Sequence, residues 1–85
     1  MTHSFLMRFR VLLAGLRDTI GVRDADRIEL IVNHGEPGDA LVELAWLIVN
    51  RDIRIDRSQY DTIMELVDGF PDRQFFPESL ELQVS

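Results

Sequence analysis

The sequence predicts an all-α fold: a compact bundle of about four short helices followed by an irregular C-terminal tail. Three observations carry that prediction. Apolar residues recur every three or four positions in four separate segments, the period of a helix with one buried face. Glycine or proline punctuates the ends of those segments. The one stretch that alternates like a strand, near the C-terminus, has no evident second strand to pair with.

The first helix is expected from Phe5 to Ile20. Phe5, Phe9, Leu12, Leu13, Leu16 and Ile20 fall on one face, and Arg8, Arg10, Arg17 and Asp18 largely elsewhere. Gly15 lies inside the pattern, at a propensity cost of up to about 1 kcal/mol relative to Ala. Gly21 is the expected stop. The second helix is expected from Asp24 to Asn33, with Asp24 as its cap, an inward stripe of Ala25, Ile28, Ile31 and Val32, and His34-Gly35 at its end. Glu36-Pro37-Gly38-Asp39 makes a tight connector and opens the third helix, Pro37 to Asn50, because proline is tolerated in a first turn and acidic residues suit that end.

That third helix is apolar over most of its circumference. Leu41, Leu44, Leu47 and Ile48 make one face; Val42, Trp46 and Val49 make a second. A helix of this kind belongs at the centre of a fold. Neighbours covering both faces is the plain expectation, and a partly exposed Trp46 stripe that docks a partner is the functional one. In the connector Arg51 to Asp56, Ile53 and Ile55 alternate as two extended, inward-pointing residues. Asp56 with Gln59 resembles a capping box. It opens a fourth helix from Arg57 to Asp68 that buries Tyr60, Ile63, Met64 and Val67, stopped by Gly69 and Pro71. Residues 1–69 thus form the helical domain and 70–85 the tail, packed back or frayed. Within the tail Phe75-Phe76-Pro77 are suited to fold back, and 79–84 read as a capping helix, an edge-pairing segment or a frayed end.

Composition narrows the function. The 85 residues carry nine basic side chains, all Arg, against fifteen acidic ones, for a net charge of −6, and no Cys. One domain is expected, with no disulfide or thiol chemistry. Phosphate backbones repel such a chain, which argues against nucleic acid and in favour of a basic partner. The uncharged run from Val11 to Leu16 is shorter than a signal-peptide core and far short of a bilayer span, so no membrane association and a cytoplasmic location are expected.

Catalytic chemistry has little to work with. His3 lies in a terminal segment expected to fray, and His34 sits at a helix end. No nucleophile, metal-ligand spacing or phosphate loop accompanies either, so neither an enzyme nor a cofactor or metal site is expected. The carboxylates are the more informative group. Asp61, Glu65 and Asp68 stack on one face of the fourth helix, and Glu36, Asp39 and Glu43 share a register on the third. Like charges at this spacing disfavour a helix by a few tenths of a kcal/mol each, so nothing local calls for them. Each stripe is either a solvated face balanced by arginines or an acidic docking surface. Together with Trp46 these six carboxylates are the candidate partner-binding residues, and the spacing does not choose between the two faces.

The run His34-Gly35-Glu36-Pro37-Gly38-Asp39-Ala40-Leu41-Val42-Glu43-Leu44, followed by Asp52-Ile53-Arg54-Ile55-Asp56, Tyr60 and Ile63, resembles the MafI family of bacterial immunity proteins. The similarity spans roughly Ile28 to Val67. Arg54 and Asp39 depart from the family pattern, which has Pro and an apolar residue there. The resemblance implies an all-helical cytoplasmic protein that binds and neutralises a cognate polymorphic toxin, often a basic nuclease, with no catalytic residues of its own. The alternative from the residues alone is a small helical adaptor or a self-associating module, a homodimer through the two-faced third helix.

Overall fold

A computed structural model describes residues 3–85. Four α-helices follow in order: α1 His3–Ile20, α2 Val22–Asn33, α3 Pro37–Asn50 and α4 Arg57–Val67. Two 3-10 helices, Pro71–Phe75 and Glu78–Gln83, make up most of the tail. The fold is all-α. α1 already includes His3; the rest of the terminal segment expected to fray, Met1 and Thr2, lies outside the described residues. Among the described residues no helix is long and apolar enough to cross a membrane.

α1 and α3 each pack against both α2 and α4, which closes the helices into a ring with α1 and α3 on the diagonal. All six residues that pattern the first helix are buried, from Phe9 at 0% exposure to Phe5 at 8%. They meet Ala25, Ile28 and Val32 of α2, Leu41, Leu44 and Ile48 of α3, and Ile63, Leu66 and Val67 of α4 in one continuous core. Tyr60 and Met64, expected inside, are half-buried at its edge, and Leu66 takes a buried place that the pattern assigned to neither face.

The helix junctions show where local rules hold. The Asp56 carboxylate accepts the Gln59 N–H at 2.7 Å while the Gln59 side chain accepts the Asp56 N–H at 2.9 Å, a complete capping box. The boundary between α1 and α2 is tighter than expected. Gly21, at φ 96°, turns the chain within a single residue, so α2 begins at Val22 and Asp24 is not its cap. Asp24 instead lies in the first turn, where its carboxylate binds Arg51 at 2.6 Å and Arg27 at 3.3 Å. Arg51 also donates to the Ile20 carbonyl at 3.0 Å. One guanidinium thereby ties the end of α1, the start of α2 and the end of α3. α4 ends at Val67, one residue short of expectation, leaving Asp68 as its extended C-cap.

The tail packs back. Phe70 meets Phe5 edge-on with ring centroids 5.7 Å apart. Both 3-10 helices then lie on α3. The alternating segment resolves into a 3-10 turn that buries Leu80 and Gln83, then a single parallel bridge between Val84 and Ile55. Ile53 and Ile55 point inward as the alternation predicted, at 6% and 1% exposure. The Gln83 amide donates to the Asp52 carboxylate at 2.9 Å and to the Ile53 carbonyl at 3.1 Å, so its burial leaves no polar atom unsatisfied.

Two outcomes follow. Leu80→Ala should cost about 2–4 kcal/mol in urea unfolding, the loss typical of a buried leucine, whereas a tail outside the core would lose almost nothing. Asp24→Asn should lower the melting temperature at neutral pH. The Arg51 hydrogen bond, opposed by partial desolvation and aided by the charges of Arg51 and Arg27, holds the Asp24 carboxyl below its ordinary value of 3.8. Its stabilising contribution is therefore complete above the unfolded-state value and lost as pH falls through the lower folded-state one. The gap between wild type and variant should close in that acid window.

Candidate partner-binding surface

The two acidic stripes have different fates. On α4, each carboxylate meets an arginine: Asp61 meets Arg57 at 3.3 Å, Glu65 meets Arg8 of α1 at 3.3 Å, and Asp68 meets Arg73 of the tail at 3.1 Å. Each pair is exposed and adds little stability. Their effect is on the field: this face presents alternating charge rather than a negative strip.

The α3 stripe is arranged otherwise. Only a narrow arc of α3 faces solvent, carrying Asp39, Trp46 and Asn50. Beside that arc run two connected hollows of about 320 and 420 Å³ that share Val42 and Glu43. The first is bordered by Ile31, Glu36, Asp39, Asp72 and Phe75; the second by Arg27, Trp46, Leu47 and Arg51. The structure thus brings Glu36, Asp39, Glu43 and Trp46 together along one trough and places Asp61, Glu65 and Asp68 elsewhere. Glu43 is bonded to Arg27, which also binds Asp24, so the α2 side of the trough is neutralised. Glu36, Asp39 and Asp72 have no ion pair among the described residues. Three unpaired carboxylates therefore border an apolar floor of Val42, Ile31 and the exposed ring of Phe75.

Asp72 and Phe75 belong to this site although neither stands out in the sequence as a binding residue. They arrive with the first 3-10 helix, whose Asp72 carboxylate lies against Gly38. A Cβ at that position would lie 2.0 Å from the Asp72 carboxylate. The missing side chain lets Asp72 rest on the first turn of α3, where the helix dipole favours negative charge. The other end of the 3-10 helix is held by Trp46, whose Nε1–H donates to the Phe75 carbonyl at 2.7 Å. Trp46 is 42% exposed, so its indole both clasps the tail and shows one face to solvent. A glycine in the first turn of a helix, with an aromatic pair downstream, is the only sequence signal for this docking.

Among the described residues no three His, Cys, Asp or Glu side chains are grouped to hold a metal ion. His34 is exposed at the C-cap of α2. The trough is open to solvent, bordered by carboxylates and by the apolar side chains of Ile31, Val42 and Phe75.

Trp46→Phe keeps the packing and removes the hydrogen-bond donor. It should cost about 1 kcal/mol in stability and increase proteolytic cleavage between residues 70 and 77 as the clasp opens. An unchanged digestion pattern would show that the tail is held without it.

No protein-family model, no curated protein and no solved structure matches this chain.

Proposed function

We propose that this chain is an immunity protein that binds a basic toxin domain, of nuclease type, and neutralises it by protein–protein contact. The observation that carries this reading is the trough on α3: Glu36, Asp39 and Asp72 without internal cations, around exposed Phe75 and Trp46. A cationic surface brought against it gains charge pairing at the rim and aromatic contact in the centre, the distribution that gives fast encounter and a stable complex. The net charge of −6 and the resemblance of residues 28–67 to MafI immunity proteins support the same reading. Under it the protein inhibits by occupancy and performs no reaction, and it resides in the cytoplasm with the toxin it restrains.

The alternative occupant of the trough is a basic partner that is not a toxin, which would make the chain an adaptor. Co-expression with the product of the adjacent upstream gene separates the two. A toxic neighbour whose toxicity disappears in a salt-sensitive complex with this chain supports immunity; a harmless neighbour that forms no complex overturns it. Within such a complex, reversing Glu36 and Asp39 to Arg should slow association about tenfold at low salt, since rim charges act mainly on encounter. Reversing Asp61 and Glu65, whose charges are already internally paired, should change it far less. The opposite order would move the binding face to α4.

A further inference from the structure

We propose that two copies of this chain pair through the outward face of α1, antiparallel about a two-fold axis at Val11. The face stands out for what it lacks. Opposite the buried stripe, α1 presents Ser4, Met7, Val11, Ala14, Gly15 and Asp18, so three turns pass without a charge at its centre. Met7 is 57% exposed and Val11 73%. The arginines of α1 are drawn to the edges by partners in the same chain: Arg8 binds Glu65 at 3.3 Å, Arg10 binds Asn33 at 3.1 Å and Arg17 binds Asp26 at 2.8 Å. Along one side of the face runs an open hollow of about 500 Å³ between α1 and α4, walled on α4 by Ser58, Gln59 and Thr62, with Arg8 among its α1 residues. A surface helix with this outward face is one whose second side is meant to be covered.

The occupant follows from self-complementarity. An isologous contact requires each patch to carry both the projection and the recess that receives it. With Val11 on the axis, a residue of one copy lies level with the residue equally far beyond Val11 in the other. Met7 then rests on the Ala14–Gly15 step of its partner, the one place on the face without bulk. A side chain at Gly15 would meet only the end of Gln59, at 3.5 Å, so the recess is open space. The charges agree with the same register. Asp18 has no ion pair among the described residues and lies about 6 Å along the axis from Arg8 of the other copy, whose guanidinium would be shared with its own Glu65. Side chains lean toward the N-terminus of their own helix, so in antiparallel copies these two lean toward each other.

Size sets the strength. α1 is 18 residues long, about 27 Å, and runs nearly the full 29 Å of the molecule. Paired faces of that length and two helices in width bury roughly 1,000 Å² in total, the lower limit for a specific interface, so the dimer should be weak and concentration-dependent. Because α1 and α3 are diagonal in the ring, pairing leaves both α3 troughs open. The inference does not depend on what fills them.

Sedimentation equilibrium of the whole chain should show the mass rising from 9.8 kDa toward twice that value with concentration. Val11→Glu should hold it at one chain with an unchanged melting temperature. The absence of any native Cys makes register directly testable. Val11→Cys should cross-link with itself under mild oxidation, and Met7→Cys should cross-link with Ala14→Cys faster than either does alone. Leu30→Cys, exposed on α2, serves as the control. A single-chain mass at every concentration, or cross-linking at Leu30 that matches Val11, overturns the proposal.

Discussion

The width of the apolar surface of α3 governs how the rest of the chain is arranged. Gly38, Ala40, Leu41, Leu44, Ala45 and Ile48 are buried, and Val42, Leu47 and Val49 half-buried, leaving only the arc of Asp39, Trp46 and Asn50 open. Two neighbouring helices cannot cover so much of a cylinder. α2 and α4 take opposite flanks, and the third side falls to a tail with little helix propensity of its own. The tail earns its place through contacts: Leu80 in the core, the Ile55–Val84 bridge, the Gln83 amide and the Trp46 clasp. Covering material that four helices do not provide is supplied by the last sixteen residues.

What was legible in the sequence is what depends on near neighbours. The six core residues of α1 share one helix face by spacing alone. Asp56 and Gln59 cap because they stand three residues apart, and Ile53 and Ile55 point inward because extended residues alternate. Asp24 departs from the expected cap position for a reason of the same range, since Gly21 at positive φ compresses the junction to a single residue and moves the helix start upstream. The charges could not be read this way. Glu65 finds Arg8 across 57 positions, and Asp68 is answered by an arginine in the tail. Which acidic stripe stays negative was therefore decided by tertiary contacts, and so was the entry of Asp72 and Phe75 into the trough.

Among the described residues seven arginines pair with seven carboxylates, leaving Arg10 and Arg23 against eight acids. One of those eight, Asp56, caps α4. Glu36, Asp39 and Asp72 gather at one end of α3, while Asp18 stands alone on α1. An excess of six charges spread evenly would serve solubility and little else. Concentrated where the helix dipole of α3 is positive, three carboxylates repel one another less than they would at its other end. The fold can thus hold a local excess of negative charge that the helix itself tolerates, beside the partly exposed aromatic carbon of Trp46 and Phe75.

The two exposed surfaces then differ in the force that would fill them, and this difference makes them separable. The α3 trough is bounded by unscreened carboxylates, and attraction to a cation there weakens over a Debye length of about 8–10 Å as salt rises. The outward face of α1 is apolar at its centre, and association through it depends on area removed from water, which salt does not weaken. Raising ionic strength therefore suppresses contacts at α3 while sparing those at α1. A chain that stays associated with itself in high salt while losing a basic partner has its two interfaces on the two diagonal helices. Loss of both together would mean that the arginines flanking α1, and not Met7 and Val11, hold the copies in contact.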